Sequence, residues 1–206
     1  MDVDNIHWYG HASFRIDDAG KHIYIDPWKM PEGAPKADVI LVTHGHYDHY
    51  SADDVARLSG PRTKLVGPPD VAREAGGGAV GLKPGQTTEV AGLRIAAVPA
   101  YNTDKKFHPK GNAWVGFVVT LSDGTTVYHA GDTDAIPDMK KLKVDVALLP
   151  VSGTYVMTAA EAAKAANGFG PQVVIPMHWG DIVGGRGDAE AFEAAFTGRT
   201  VIKDKE

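Results

Sequence analysis

The 206-residue chain is predicted to fold as one α/β domain. Two continuously apolar strands, Val39-Ile40-Leu41-Val42 and Val146-Ala147-Leu148-Leu149, need cover on both faces, and three separate stretches carry helix-start signals that can supply it. Neither an internal repeat nor a composition shift marks a boundary, so residues 1–206 are read as a single domain. A hydrophobic share of 43% and a charged share of 23% suit an ordinary globular core and exclude disorder and fibrous repeats.

In chain order, residues 3–9, 13–17 and 21–26 are rich in β-branched and aromatic residues, and Asp18-Ala19-Gly20 between the last two signals a hairpin. Residues 39–42 form the first buried strand. Ser51-Ala52-Asp53-Asp54 opens a helix that Gly60-Pro61 ends. The middle, 81–128, reads as a strand meander punctuated by Pro84-Gly85, Ala91-Gly92 and Ser122-Asp123-Gly124, and interrupted by a long loop at 100–112. After the second buried strand, Thr158-Ala159-Ala160-Glu161 opens an Ala-rich helix, read as packing, that ends between Gly168 and Pro171. A third helix runs from about Gly187-Asp188 to Phe196 and leads into a last strand at 200–203.

Composition narrows the chemistry. With no Cys, thiolate metal sites, disulfides and cysteine nucleophiles are excluded, and any metal must be held by nitrogen and oxygen. A formal charge of -5 without any run of Lys or Arg argues against nucleic-acid binding. The acidic start Met1-Asp2-Val3-Asp4-Asn5 and the lack of a long apolar run lead to the expectation of a cytoplasmic protein without a membrane partner. A small-molecule substrate is the expected partner, with self-association left open.

The strongest signal is Thr43-His44-Gly45-His46-Tyr47-Asp48-His49, directly after the first buried strand. Imidazole and carboxylate are the usual ligands of zinc, manganese and iron, and α/β sites gather at the carboxyl ends of strands. The alternative, a histidine-rich surface loop, does not explain that placement. The arrangement recurs twice: residues 125–129 run into Ala130-Gly131-Asp132-Thr133-Asp134, and 172–177 run into His178-Trp179-Gly180-Asp181. Alone, Asp132 or His178 reads as a turn or core residue; beside the first cluster both become candidate ligands.

Together these residues resemble the metallo-β-lactamase superfamily, whose His-x-His-x-Asp-His signature is met by His44, His46, Asp48 and His49. The stretches His7-Trp8-Tyr9-Gly10-His11-Ala12-Ser13-Phe14, Ile25-Asp26-Pro27, Tyr128-His129-Ala130-Gly131-Asp132-Thr133 and Pro176-Met177-His178 look like the branch related to ascorbate-6-phosphate lactonase. The resemblance covers most of the chain and implies a four-layer αββα sandwich with two divalent ions, zinc or manganese, between its sheets. It places His44 and His46 on one ion, Asp48, His49 and His178 on the other, and Asp132 as a bridge. The third histidine that the superfamily supplies to the first ion is missing from its usual place. Asn102 in Ala100-Tyr101-Asn102 occupies that place, and His108 six residues on is the alternative ligand.

The expected function is hydrolysis by a metal-bound hydroxide of a small, anionic lactone, ester or phosphodiester. Asp48 is expected to serve as ligand and proton acceptor, and His108, Tyr101 or water as proton donor. Lys105, Lys106, Lys110 and Arg186 suggest mobile basic elements around the opening, against the alternative of solvated loop charges. His11 is read as a substrate-contacting or ligand-orienting residue, against a turn hydrogen bond. His129 is expected to orient the Asp132 loop, and His7 and His22 to be structural. Trp8, Trp28, Trp114 and Trp179 are mostly core candidates, with Trp179 a candidate for the cavity wall. Two other functions share the fold: a metal-depleted binding or sensor protein, and a di-iron redox protein.

Several patterns are rejected. Gly76-Gly77-Gly78-Ala79-Val80-Gly81 spells a dinucleotide motif but follows a helical stretch and meets Lys83-Pro84-Gly85, which blocks a helix. Leu82 stands where a phosphate-binding loop needs Lys. Neither Ser13 nor Ser152 lies in a nucleophile elbow.

Overall fold

A computed structural model describes all residues, Met1–Glu206. The first sheet has six strands in chain order: β1 (Ile6–Trp8), β2 (Phe14–Asp18), β3 (Lys21–Ile25), β4 (Val39–Leu41), β5 (Lys64–Gly67) and β6 (Val80–Gly81). Seven strands form the second: β7 (Thr87–Val90), β8 (Leu93–Pro99), β9 (Val115–Thr120), β10 (Thr126–His129), β11 (Val146–Pro150), β12 (Val173–Met177) and β13 (Arg199–Thr200). Each sheet opens as an antiparallel meander and closes with parallel strands, β3 to β6 in the first and β10 to β13 in the second.

Period-two alternation in β3 and β4 builds the layers. Ile23, Ile25, Val39 and Leu41 enter the large core between the sheets, whereas Tyr24, Ile40 and Val42 join a smaller outer core with Leu58 and Val71. Those last two come from helices α1 (Ala52–Leu58) and α2 (Pro69–Ala75), which cover the first sheet. Helices α3 (Ala159–Phe169) and α4 (Arg186–Ala195) cover β11 and β12 of the second. The result is the four-layer αββα sandwich. No helix is long and apolar enough to cross a membrane.

The start signals act as expected from the sequence. Ser51 Oγ accepts from Asp54 N at 3.2 Å, and Thr158 and Glu161 cap each other reciprocally at the head of α3. Asp188 accepts from Gly185 N at 2.8 Å, starting α4 one residue before the expected Gly187. The Gly76 to Gly78 run, all at positive φ, joins α2 to β6, the reverse of the strand-to-helix order a dinucleotide site requires.

The first and last strands are shorter than expected. Residues 3–5 form a turn, with Ile6 N donating to Val3 O. Beyond Val201, whose N still donates to Val174 O of β12, the chain leaves the second sheet and straps across the first: Lys203 donates to Val3 O and Glu206 N to Trp8 O. Asp181, three residues after His178, fastens this tail with Lys205 at 3.1 Å and Lys29 at 3.3 Å. Burial works against the Asp181 charge, but the two ammonium groups outweigh it and hold its pKa below the ordinary value.

A close approach ties the sheet to the loop that carries Asp132. A Cβ on Gly116 of β9 would lie 2.5 Å from His129 O and 2.6 Å from Ala130 O, both backbone atoms. Gly116→Ala is therefore expected to cost about 1–3 kcal/mol, read as a lower urea midpoint; an unchanged midpoint would contradict the packing. Asp181→Asn is expected to lower Tm at pH 7. Because the folded pKa is depressed, the Asp181 contribution is complete above 3.8 and fades as pH falls, so the Tm values of mutant and wild type should converge in acid.

Candidate metal centre

The loops that leave β1, β4, β8, β10 and β12 at their carboxyl ends meet between the sheets and bring together residues up to 167 positions apart, from His11 to His178. One nitrogen each of His44, His46 and His108 lies within 4.8 Å of the others. A second such group joins His11, Asp48, His49 and His178, and a third joins His44, His49 and Asp132. Asp132 stands between the first two: its Oδ2 is 3.2 Å from His108 Nε2 and 3.0 Å from His178 Nε2, and its Oδ1 is 3.3 Å from His49 Nε2.

Four of the imidazoles, those of His44, His49, His108 and His178, are turned inward by a partner on Nδ1. Asp26, fully buried after β3, accepts from Thr43 N, Thr43 Oγ1 and His49 Nδ1, all at 2.7 Å. Thr43 Oγ1, its proton given to Asp26, accepts from His44 Nδ1 at 3.0 Å. Ser152 meets His178 Nδ1 at 3.0 Å. Asn102 Oδ1 accepts from the backbone N of His108 at 2.9 Å and from its Nδ1 at 3.1 Å, while Asn102 Nδ2 donates to Asp134 and to Tyr155 O. Thus Asn102 does not enter the first group; it aims His108, which does. In these four the Nδ1 is engaged outward and Nε2 faces the cluster, whereas His46 Nδ1 meets His44 Nε2 within it at 2.9 Å and His11 Nδ1 has no partner.

Burial by itself pushes the His44 imidazole well below its usual pKa, with His49 adding to it, and lowers His46 in the same way with help from His108. Both are thereby neutral, the ligand form. Burial also opposes charge on Asp132 and on His49. The nearby His178 and His49 nevertheless hold Asp132 far below the carboxylate range, and Asp132 and Asp26 hold His49 well above the histidine value. Asp48 is likewise kept ionised against its burial, chiefly by the His11 hydrogen bond at 3.0 Å and by His49.

These residues fit a cation. His49 Nε2, His108 Nε2 and Asp132 Oδ1 are buried and complete no hydrogen bond despite their short separations. Buried polar atoms left without a partner are costly, and a cation shared among them removes that cost.

A cavity of about 280 Å³ opens onto the cluster, lined by His46, Asp48, His108 and Asp132 together with Tyr47, Phe107, Tyr155 and Ile182. Several expected contributors lie elsewhere. Tyr101 is 9% exposed in the core beneath the Lys110 ammonium, 4.8 Å away, and Tyr155 is the tyrosine of that neighbourhood that reaches the cavity. Lys105 is bound to Asp134 at 2.7 Å, Arg186 to Glu190 and Asp204, and exposed Lys106 and Lys110 do not line the opening. Trp179 stacks on Trp8 at 4.6 Å in the core and forms no part of the cavity wall. Trp114 packs against His44 and His46, both at 4.9 Å. His129 accepts from Gly131 N and meets Ala12 O, steadying the Asp132 turn, and His11 faces Asp48 and stacks on His178 at 3.9 Å. His7 and His22 pair with Asp17, away from the cluster.

Asp26 and Thr43 fall within the sequence motifs and Ser152 is a rejected nucleophile, but the orienting role found here for all three escaped the sequence reading, as did Tyr155 altogether. Ser152 and Tyr155 follow β11, so the strand-end rule that found His44, Asp132 and His178 also points to them.

Fold and donor cluster together define a metallo-β-lactamase protein. Residues 5–178 match the family model of the beta-lactamase superfamily domain, and the chain belongs to that superfamily. Within it, the protein is a metal-dependent hydrolase. It is 40% identical over 195 residues to a UPF0173 metal-dependent hydrolase of Pyrococcus abyssi, covering 84% of each chain. A Parabacteroides distasonis crystal structure classed as a metal-dependent hydrolase superposes with a TM-score of 0.88 at 33% identity, over 98% of this chain and 93% of the other. Igni18, a metallo hydrolase of Ignicoccus hospitalis, superposes with a TM-score of 0.79 at 27% identity, over 97% and 94%.

Asn102→Ala is expected to lower zinc affinity roughly 10- to 100-fold, measured by competition with a chromophoric chelator. An unchanged affinity would mean that His108 is held without Asn102.

Proposed function

We propose that the chain hydrolyses a small lactone, ester or phosphodiester at a centre holding two divalent ions, zinc or manganese. The carrying observation is the convergence of donor atoms: His44, His46 and His108 around one position, His11, Asp48, His49 and His178 around a second, and Asp132 between them. Asp132, lying between the two groups, would serve both ions. His11 adds a nitrogen to the second group, beyond the set that the sequence resemblance implies.

When bound, such ions acidify a water to a pKa of about 7 and stabilise negative charge growing on a substrate oxygen. The protein contributes the rest. Asp48, kept deprotonated by His11, accepts the proton of the attacking water. Phenol groups of Tyr47 and Tyr155 line the same space and can return a proton to the departing oxygen. Asp26, Thr43, Ser152 and Asn102 hold the imidazoles so that no side chain needs to reorganise during the reaction. The resemblance to ascorbate-6-phosphate lactonase supports lactones as the first compounds to test.

Two equivalents of zinc or manganese per chain are expected from metal analysis of the purified protein. Activity on a panel of lactones, esters and phosphodiesters should vanish with chelation, return with metal, and fall at least about 100-fold in His46→Ala. Full turnover by that variant, or no metal uptake after supplementation, would remove this reading.

A further inference from the structure

Four large apolar side chains stand exposed on the whole chain: Met1 at 44%, Tyr47 at 68%, Phe107 at 49% and Ile182 at 36%. Three of these come from separate loops, after β4, after β8 and after β12, and all three line the 280 Å³ cavity above the donor cluster. Phe107 is braced from behind by Tyr155, ring centroids 4.6 Å apart and planes at 83°. Leaving large apolar groups in water is unfavourable at each of these positions, and exposed groups that cluster mark a binding surface. The cavity is polar at its floor and apolar at its rim, and no Lys or Arg lines it.

We propose that this rim grips an aromatic or branched aliphatic part of the substrate, so that the substrate is an uncharged ester or lactone carrying such a group beside the scissile bond. The proposal rests on the hydrolytic reading of the centre and adds the class of molecule it takes. The cavity volume lies near the lower bound for small-molecule sites, about 300 Å³, which suits a single ring with a short substituent. A carboxylate or phosphate away from the scissile bond would find no cationic partner there. Lys105 and Arg186 are held in ion pairs elsewhere, and Lys110 lies over Tyr101.

Two measurements on the metal-loaded protein test this. In the first, kcat/KM is compared for an unsubstituted five-membered lactone, the same ring bearing a phenyl group, and the same ring bearing a carboxymethyl group. The phenyl compound is expected to exceed the unsubstituted one by roughly 10- to 100-fold, the gain from burying one ring, and the carboxymethyl compound to show no gain. Phe107→Ala and, separately, Ile182→Ala should each cut the phenyl preference several-fold.

In the second, 2-phenyltetrahydrofuran, which lacks the scissile carbonyl, is compared with tetrahydrofuran by ligand-observed NMR. Wild type should bind the phenyl ether at least 10-fold more tightly, and both variants should lose that margin. Equal binding of the two ethers, no effect of either variant, or a preference for the carboxymethyl lactone would overturn the proposal. Ether selectivity without hydrolysis of any lactone would instead sink the hydrolytic reading and leave the apolar rim standing.

Discussion

One buried carboxylate orders the first motif of the site. Asp26 gathers the amide and hydroxyl of Thr43 and the Nδ1–H of His49. In doing so it joins the end of β3 to the loop that follows β4 and fixes two imidazoles at once, His49 directly and His44 through Thr43. Three donors on a fully buried anion are an expensive arrangement to dismantle, because removing the acceptor strands several polar groups away from water. The inward orientation of the Nε2 atoms is thus set by hydrogen bonds behind the rings, before any ion enters.

This preorganisation carries a conformational cost. Asp26, His11 and His178 all adopt positive φ, at +47°, +50° and +63°. For residues other than glycine that region is sparsely populated, and such outliers gather where the surrounding structure holds them for a purpose. His11 shows how they are held: its carbonyl accepts from Trp8 Nε1 and from His178 N, so two strained residues lock each other. Asp and His pay less than most residues in this conformation, which accounts for their use at these bends. The tail strap through Asp181, Lys205 and Lys29 closes around the same corner, next to His178.

Much of this was legible in the sequence, for identifiable reasons. The four candidate donors of the first motif, Asp132 and His178 each follow an apolar strand directly, and strand ends in such folds point at the site. Helices α1 and α3 announced themselves through Ser51 and Thr158 because capping is local chemistry. The choice between Asn102 and His108 was not legible. It is decided by a hydrogen-bonded turn in which Asn102 ties His108, Asp134 and Tyr155 together, contacts that span up to 53 positions. Loop cations failed for the same reason: nothing periodic tells that Lys105 will turn to Asp134 instead of the opening. Strands β5 and β6 were equally quiet, being too short to show alternation and stabilised chiefly by their parallel neighbours.

The apolar rim and the charged floor are one physical device. Coulombic interactions strengthen as water is displaced, so a substrate portion that fills the space between Tyr47, Phe107 and Ile182 lowers the local dielectric where charge must develop. Binding energy gathered at the rim, away from the reacting atoms, can then be expressed at the floor as transition-state stabilisation. A rim of lysines would instead hold water and screen the floor. The separation of the two surfaces also follows from the fold: the floor residues are fixed by hydrogen bonds at strand ends, whereas the rim side chains project from the loops beyond. Substrate preference in this scaffold can therefore change through Phe107 and Ile182 without disturbing the carboxylate that orders the centre.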